Sequence, residues 1–304
     1  MWRKLGLVWG PDGKEWWAVS HAYLPTVDVL EDRFRVYVSC WDKDRVGRLG
    51  YVEVDINDPT KVLYVTKEPV LDVGEPGTFD EKGVSPCCVV DMDGEKRLYY
   101  FGWQRTQTVP YLLFCGLAVS RDGGRTFKRF ARVPILDRTD REPWLRSAVT
   151  ILKEHNRLRM WYVAGLGWFR LGGKLVPTYN IRYAESEDGI VWHATGRVCI
   201  DFACEDEFGF GRPWVVKDGQ KYRMWYSIRS KTKPYRIGYA ESDDGLQWTR
   251  RDDYVGIKSS AEGWDSEMIC FPCVVKANGR WYMFYNGNGY GRDGFGVAVA
   301  EKLP

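Results

Sequence analysis

Near its carboxyl end the chain carries the apolar segment Phe271-Pro272-Cys273-Val274-Val275, the last of five similar segments. The four earlier copies also lead into short runs of apolar residues and lie at residues 24–27, 85–90, 147–151 and 212–216. Successive copies are 59 to 66 residues apart, so five units of that size account for the whole chain. Such a period is typical of a protein in which one small sheet is repeated around an axis.

Each apolar segment is followed by a turn and a second run of strand-forming residues. Lys217-Asp218-Gly219-Gln220 precedes the aromatic run 221–226, and Lys276-Ala277-Asn278-Gly279 precedes the run 280–285. Glycine and asparagine readily adopt the positive φ that tight hairpin turns require. Aromatic and β-branched residues favour strands. The pattern therefore predicts a β-hairpin at the start of each unit.

A third strand ends in a turn that is repeated almost residue for residue. The stretch YAESEDGIVW at 183–192 recurs 56 residues later as YAESDDGLQW at 239–248. A looser copy at 120–127, SRDGGRTF, is similar to the Asp-box of sialidases. An aspartate in such a turn caps backbone N–H groups while the aromatic ring folds back over it. We therefore expect these aspartates to be structural and not catalytic.

Together these patterns predict an all-β protein, a five-bladed β-propeller with four-stranded antiparallel blades in one domain spanning 1–304. The predicted blades cover approximately 20–71, 77–136, 140–200, 205–255 and 264–304. The last blade supplies only three strands before the chain ends. We expect the N-terminal strand at 3–9 to complete it and to cover its open edge.

Composition excludes several classes of function. The formal net charge is +3, from 44 basic and 41 acidic residues, which is too small to drive binding to nucleic acid. No stretch has the apolar length of a signal peptide core or a membrane span, so a cytoplasmic protein is expected. Cys270 and Cys273 have the spacing of half a zinc site, but no second pair follows. We expect no metal and no cofactor, and cysteines such as Cys87, Cys88 and Cys273 to pack in the core.

The connections that follow the second and fourth strands of each unit are long, and several are acidic just before the chain enters an apolar segment. Long loops on a rigid scaffold commonly carry function. Carboxylates that converge on one cavity raise one another's pKa, which suits acid–base chemistry. The predicted catalytic residues, one from each of four units, are Asp80, Glu142, Glu207 and Glu267.

Aromatic and basic residues share these loops. Aromatic rings stack on the C–H face of a sugar, and arginines bind carboxylate or phosphate groups. The predicted substrate is therefore a carbohydrate that carries an acidic group. With only three histidines, a Ser-His-Asp or His-ligated metal mechanism is disfavoured. The predicted substrate-binding residues are His21, Glu81, Trp103, Trp144, Arg146, Glu205, Arg212, Trp264 and Asp265.

Over its entire length the chain resembles the five-bladed propellers of glycoside hydrolase families 43, 32 and 130. The resemblance rests on the repeated units, on the acidic residues that precede the apolar segments and on the YAES-x-DG-xx-W turns. The resemblance is to a bacterial group often found with surface-polysaccharide genes. It implies a glycosidase in which one carboxylic acid protonates the departing oxygen and a carboxylate activates water or attacks the anomeric carbon. In family 43 it implies an aspartate base on the first blade, a second aspartate and a glutamate general acid.

The chain departs from that pattern at its first inner strand, which is introduced by His21-Ala22-Tyr23-Leu24-Pro25 without a carboxylate. Asp28, Asp42, Asp44 or Asp80 could replace the missing base. Glu207 or Glu205 is favoured as the acid, with Glu142 and Glu267 in support. Two alternatives stay open: a glycan phosphorylase or sugar transferase in polysaccharide assembly, and a non-catalytic carbohydrate-binding propeller.

Overall fold

A computed structural model describes residues 1–304, and it confirms that the protein is all-β. Four sets of strands follow chain order. The first set comprises β2 (Ser20–Val29), β3 (Arg33–Trp41), β4 (Gly47–Asp55) and β5 (Val62–Val65), and the second comprises β6 (Val84–Met92), β7 (Glu95–Gln104), β8 (Leu112–Ser120) and β9 (Lys128–Arg129). The third set comprises β10 (Arg146–Glu154), β11 (Arg157–Leu171), β12 (Lys174–Ser186) and β13 (His193–Ile200), and the fourth comprises β14 (Glu207–Asp218), β15 (Lys221–Ser230), β16 (Arg236–Ser242) and β17 (Thr249–Arg250). The fifth set comprises β1 (Arg3–Trp9), β18 (Cys270–Ala277), β19 (Arg280–Asn286) and β20 (Phe295–Ala300). Helical structure is limited to a 3-10 turn at Asp252–Tyr254 and the single turn α1 (Asn288–Gly291), neither of which could span a membrane.

Within each set, neighbouring strands pair antiparallel. The N-terminal strand β1 pairs with β20, with Arg3 opposite Val299, so it occupies the position predicted for it in the last set. Single parallel bridges, Arg146 with Phe114 and Tyr179 with Gly209, connect the second, third and fourth sets into one sheet path.

Five strands, here called the inner strands, lie next to one another: β2, β6, β10, β14 and β18. Strand β2 contacts β6 and β18, β10 contacts β6 and β14, and β14 contacts β18, so the contacts form a closed cycle. These strands are mostly buried, and one large apolar cluster includes residues from all five sets. Cys87, Cys88 and Cys273 belong to this cluster, as predicted from their apolar context.

The repeated turns are capped by their aspartates. Asp244 accepts hydrogen bonds through Oδ1 from the backbone N–H groups of Leu246, at 2.7 Å, and Gln247, at 2.8 Å. The indole of Trp248 folds back and donates to the carbonyl of Gly245, at 3.0 Å. The turn at Asp188 has the same arrangement. The predicted structural role of these aspartates is confirmed.

We expect Asp244→Ala to lower the free energy of unfolding by about 1 kcal/mol, because two backbone donors lose a charged acceptor. The neighbouring Asp243→Ala is a matched control, since Asp243 is exposed and makes no hydrogen bond. Urea denaturation of both variants measures the difference. Equal stabilities would show that the cap contributes nothing.

Candidate functional site

A central cavity of about 310 Å³ lies at the meeting point of the inner strands and the long loops. All five sets of strands, or the loops joined to them, contribute to its wall. Most lining residues are apolar or aromatic, and the charged or titratable exceptions include two arginines and one histidine. The aromatic rings are Tyr23, Trp41, Phe101, Trp103, Tyr111, Tyr179, Tyr235, Phe271 and Tyr290. Such a wall suits the apolar faces of a ring-shaped ligand.

Four inner strands enter the cavity through irregular backbone. Leu24, Ala148, Arg212 and Phe271 line the cavity with φ between 45° and 58°, and each lies at a shift in strand register. Positive φ is unfavourable for residues with a side chain, and such strain is found where the surrounding structure holds a functional site. The register shift re-aims side chains relative to a regular strand.

Arg212 is the most unusual polar group in this cavity. Its side chain is buried, with 1% of the residue exposed. Nη2 donates to Thr26 Oγ1 at 2.8 Å, whereas Nε and Nη1 have no hydrogen-bond partner. Burial lowers the pKa of Arg212 from its ordinary value. A buried guanidinium with unused donors is costly unless an anion or another acceptor reaches it.

A second arginine, Arg229, also lines the cavity. Its Nη1 donates to the hydroxyl of Tyr179 at 2.7 Å, and its guanidinium lies 4.5 Å from the ring centre of Phe208. Tyr179 is itself part of the cavity wall. Arg229 thus contacts an aromatic ring and a phenol, and no carboxylate is among its hydrogen-bond partners.

His21 packs against Trp41, with the ring centres 3.8 Å apart, and has a φ of 59°. Burial lowers the pKa of His21 below 6.5, and the charges of Arg292 and Arg45 act in the same direction. The imidazole is therefore neutral at pH 7.

This lowered pKa predicts a pH dependence of stability. As the pH falls below 6.5, the unfolded chain takes up a proton at His21 that the folded protein resists, so the free energy of unfolding decreases until the folded pKa is passed. His21→Asn should remove that part of the slope, since asparagine tolerates the left-handed backbone. Denaturation between pH 5 and pH 8 measures both proteins, and identical slopes would contradict the assignment to His21.

None of the four carboxylates predicted to be catalytic lines the central cavity. Asp80 is buried and accepts from Tyr100 at 3.0 Å and from Arg129 Nε at 2.7 Å. Glu207 is buried in a two-point ion pair with Arg250, at 2.7 and 2.8 Å. Burial opposes ionisation of Glu207, but Arg250 and the backbone N–H of Ala203 hold its pKa below the usual range. Glu207 is therefore ionised at neutral pH, unlike a general acid.

Glu142 is also buried, and its oxygens lie 2.6 Å from Arg146 Nε and 2.9 Å from Arg182 Nη1. The hydroxyl of Tyr162 donates to the same carboxylate at 2.8 Å. The fourth predicted acid, Glu267, is exposed.

Asp265, predicted to bind substrate, repeats the arrangement of Asp80 and Glu142. It accepts from Tyr285 at 2.9 Å and from Lys4 at 2.6 Å. In each of the three cases the tyrosine follows the acid by 20 residues. The acidic entries to the inner strands thus form a repeated structural cluster of acid, tyrosine and base.

Of the residues predicted to bind substrate, the cavity wall contains His21, Trp103 and Arg212. The remaining ones lie elsewhere in the fold. Arg146 is paired with Glu142, and Trp264 packs on Tyr285 with ring centres 5.1 Å apart. Glu81 accepts from the backbone N–H of Gly77, whereas Trp144 and Glu205 are exposed.

Sequence reasoning missed a group of cations beside this cavity. A second cavity of about 280 Å³, here called the vestibule, shares Tyr23, Trp41, Trp103 and Tyr111 with the central cavity. Its remaining wall includes Arg45, Lys82 and Arg105. Each comes from a different loop, so no local sequence pattern connects them.

Several solved structures share the fold of this chain. A structure titled "Glycoside hydrolase" matches with a TM-score of 0.77 at 20% identity, covering 99% of this chain and 92% of that one. A thermostable family-43 glycoside hydrolase matches at 0.71 and 17%, covering 96% and 92%. A structure from work on glycoside hydrolases in the GH130 family of mannoside phosphorylases matches at 0.73 and 15%, covering 100% and 95%. The chain therefore has the fold of these glycoside hydrolases.

No protein-family model matches the sequence. Two proteins of Mycobacterium tuberculosis are much closer in sequence, "Uncharacterized protein Rv1502" of strain H37Rv and "Uncharacterized protein MT1551" of strain CDC 1551. Each is 40% identical over 302 residues, which is 99% of this chain and 99% of the relative. The chain belongs to the family of these mycobacterial proteins.

Proposed function

We propose that the chain is a single five-bladed β-propeller whose central cavity binds a carbohydrate with an anionic group. The five antiparallel sets and the closed cycle of contacts among β2, β6, β10, β14 and β18 support the propeller. A crystal structure with five sectors around one axis would test the blade count. A single cooperative unfolding transition would test the one-domain arrangement.

The observation that carries the binding proposal is the guanidinium of Arg212, which lies in a wall of aromatic rings and has two buried nitrogens without a hydrogen-bond partner. Aromatic rings pack against the C–H faces of a sugar. A guanidinium binds a carboxylate or phosphate through parallel hydrogen bonds, and here two of its three nitrogens are unused. A uronic or nonulosonic acid combines both features.

Binding without hydrolysis is the form of this function that the geometry supports best. Hydrolysis by paired carboxylates needs two carboxyl groups roughly 5 to 9.5 Å apart on either side of the sugar. No carboxylate lines the central cavity, and Asp80, Glu142 and Glu207 are each paired with at least one arginine.

The second candidate is glycoside cleavage, and the fold shared with glycoside hydrolases is the observation that favours it. Its carboxylates would be Asp80, Glu142, Glu207 and Glu267, which requires the ion pairs of the first three to open when substrate binds. A transfer to phosphate is the related variant, and dependence on inorganic phosphate would distinguish it from hydrolysis.

Calorimetric titration with neutral sugars and the matching uronic acids tests the proposal. Glucose against glucuronic acid, galactose against galacturonic acid, and N-acetylneuraminic acid form the panel. We expect at least one acid to bind and its neutral counterpart to bind more weakly. Aryl glycosides of the bound sugar, incubated with and without phosphate, should show no turnover. Equal affinity for neutral and acidic sugars would contradict the proposal, and turnover would favour the second candidate.

A further inference from the structure

The wall of the vestibule carries three cations and no carboxylate. Arg45, Lys82 and Arg105 are exposed, and none of them forms an ion pair. The other vestibule residues are aromatic or carry no charge. By contrast, the buried Arg159 and the partly buried Arg250 are each paired with a carboxylate. Like charges around one cavity produce a strong positive potential, which attracts an anionic ligand.

The backbone that presents two of these cations is held in place. Arg45 lies in the loop between β3 and β4 with a φ of 60°, inside a turn closed by Asp42. The carboxylate of Asp42 accepts from the backbone N–H groups of Asp44, at 2.8 Å, and Val46, at 2.9 Å. Asp42 therefore shapes this loop, which explains an acid that the sequence offered as a catalytic base.

Lys82 is fixed in a similar way. Its backbone N–H donates to the carbonyl of Trp103 at 3.1 Å, and Trp103 donates back to Gly83 at 2.9 Å. The two bonds bring Lys82 next to a ring that lines both cavities. Arg105 follows two residues after Trp103. The cations thus surround the same rings that face the central cavity.

We infer that the ligand carries a second anionic group, a phosphate or diphosphate ester of the sugar, and that Arg45, Lys82 and Arg105 bind it. This inference rests on the proposed sugar binding in the central cavity. A sugar carboxylate brings one negative charge, for which Arg212 already offers two free donors. A phosphate ester brings about two charges and three acceptor oxygens, which matches a group of three cations. The shared rings allow one glycosyl phosphate to occupy both cavities.

Calorimetry with inorganic pyrophosphate tests the vestibule independently of the identity of the sugar. The test variant combines Arg45→Gln, Lys82→Gln and Arg105→Gln. The control removes the same charge from exposed residues outside both cavities, by Lys153→Gln, Arg197→Gln and Lys258→Gln. Wild type and control should bind pyrophosphate, and the test variant should lose about tenfold or more in affinity. Affinity should also fall with added salt.

A second set of titrations uses the uronic acid that binds best in the panel above, its 1-phosphate and its nucleoside diphosphate ester. In wild type each phosphorylated form should bind at least about tenfold more tightly than the free acid, and the test variant should lose only that gain. Tighter binding of the nucleoside diphosphate ester than of the 1-phosphate would show that the ligand is a diphosphate ester. Equal binding of the two would show that it is a phosphate monoester.

Pyrophosphate binding that is the same in the wild type and the test variant would overturn the inference, and so would a uronic acid that gains nothing from its phosphate. If a uronic acid still binds through Arg212 in that case, the proposed function stands alone. If no sugar binds while pyrophosphate does, the proposed function fails and the glycosyl phosphate fails with it.

Discussion

Arg212→Met should weaken binding of the acidic sugar about a hundredfold and at the same time make the folded protein more stable. Loss of binding follows from the loss of two charge-assisted hydrogen bonds in a site shielded from water. Stability should rise by about 1 to 2 kcal/mol, since the variant no longer buries a charge without a counterion. Methionine nearly fills the space of the arginine and carries no charge. Calorimetric titration and urea denaturation measure the two effects.

Arg159→Met provides the matched control. Arg159 is equally buried, but it donates to Tyr183 at 2.6 Å and to Glu154 at 3.2 Å, and it does not line the cavity. Its replacement removes one of the partners of Glu154 and of Tyr183, which keep Lys217 and Glu185 respectively, so we expect a loss of about 1 to 2 kcal/mol in stability. Sugar binding by the folded fraction should be unchanged. A variant at Arg212 that binds the sugar normally would refute the role assigned to it.

Glu142→Gln should destabilise the protein by about 3 to 5 kcal/mol, because Arg146 and Arg182 lose the carboxylate that neutralises them. Both arginines are largely buried, with side chains 5% and 15% exposed, so water compensates little. The predicted effect is on folding, and sugar affinity should be retained at low temperature where the variant remains folded. Thermal denaturation and calorimetric titration on the same sample give both quantities.

Glu267→Gln is the companion variant, as it removes the exposed member of the same predicted set of acids. It should change stability by less than about 0.5 kcal/mol. If Glu142→Gln instead abolishes turnover of a glycoside while the protein unfolds at an unchanged temperature, Glu142 is catalytic and cleavage replaces binding as the function.

These two residues show where sequence reasoning succeeded and where it stopped. The acids that precede the inner strands could be read from the repeat, and so could the aromatic character of the site. A carboxylate can either point into the cavity or pair with an arginine. Which of the two occurs depends on partners that are distant along the chain. Glu142 pairs with Arg182 40 residues away, and Asp265 pairs with Lys4 261 residues away. No local pattern reports such a pairing.

The sequence alone determined the all-β class, the hairpins and the aspartate-capped turns. It also determined that the N-terminal strand completes the last set. Each depends on interactions between near neighbours or on a period that the chain repeats. Only the tertiary structure decided that Arg212, beside an aromatic cavity, keeps two nitrogens without a partner. It also decided that Asp80, Glu142 and Glu207 pair with arginines and do not line that cavity, and that three loop cations adjoin it. Those properties arise because folding brings side chains from separate sets of strands to one cavity, where burial and charge pairing determine what each group can bind.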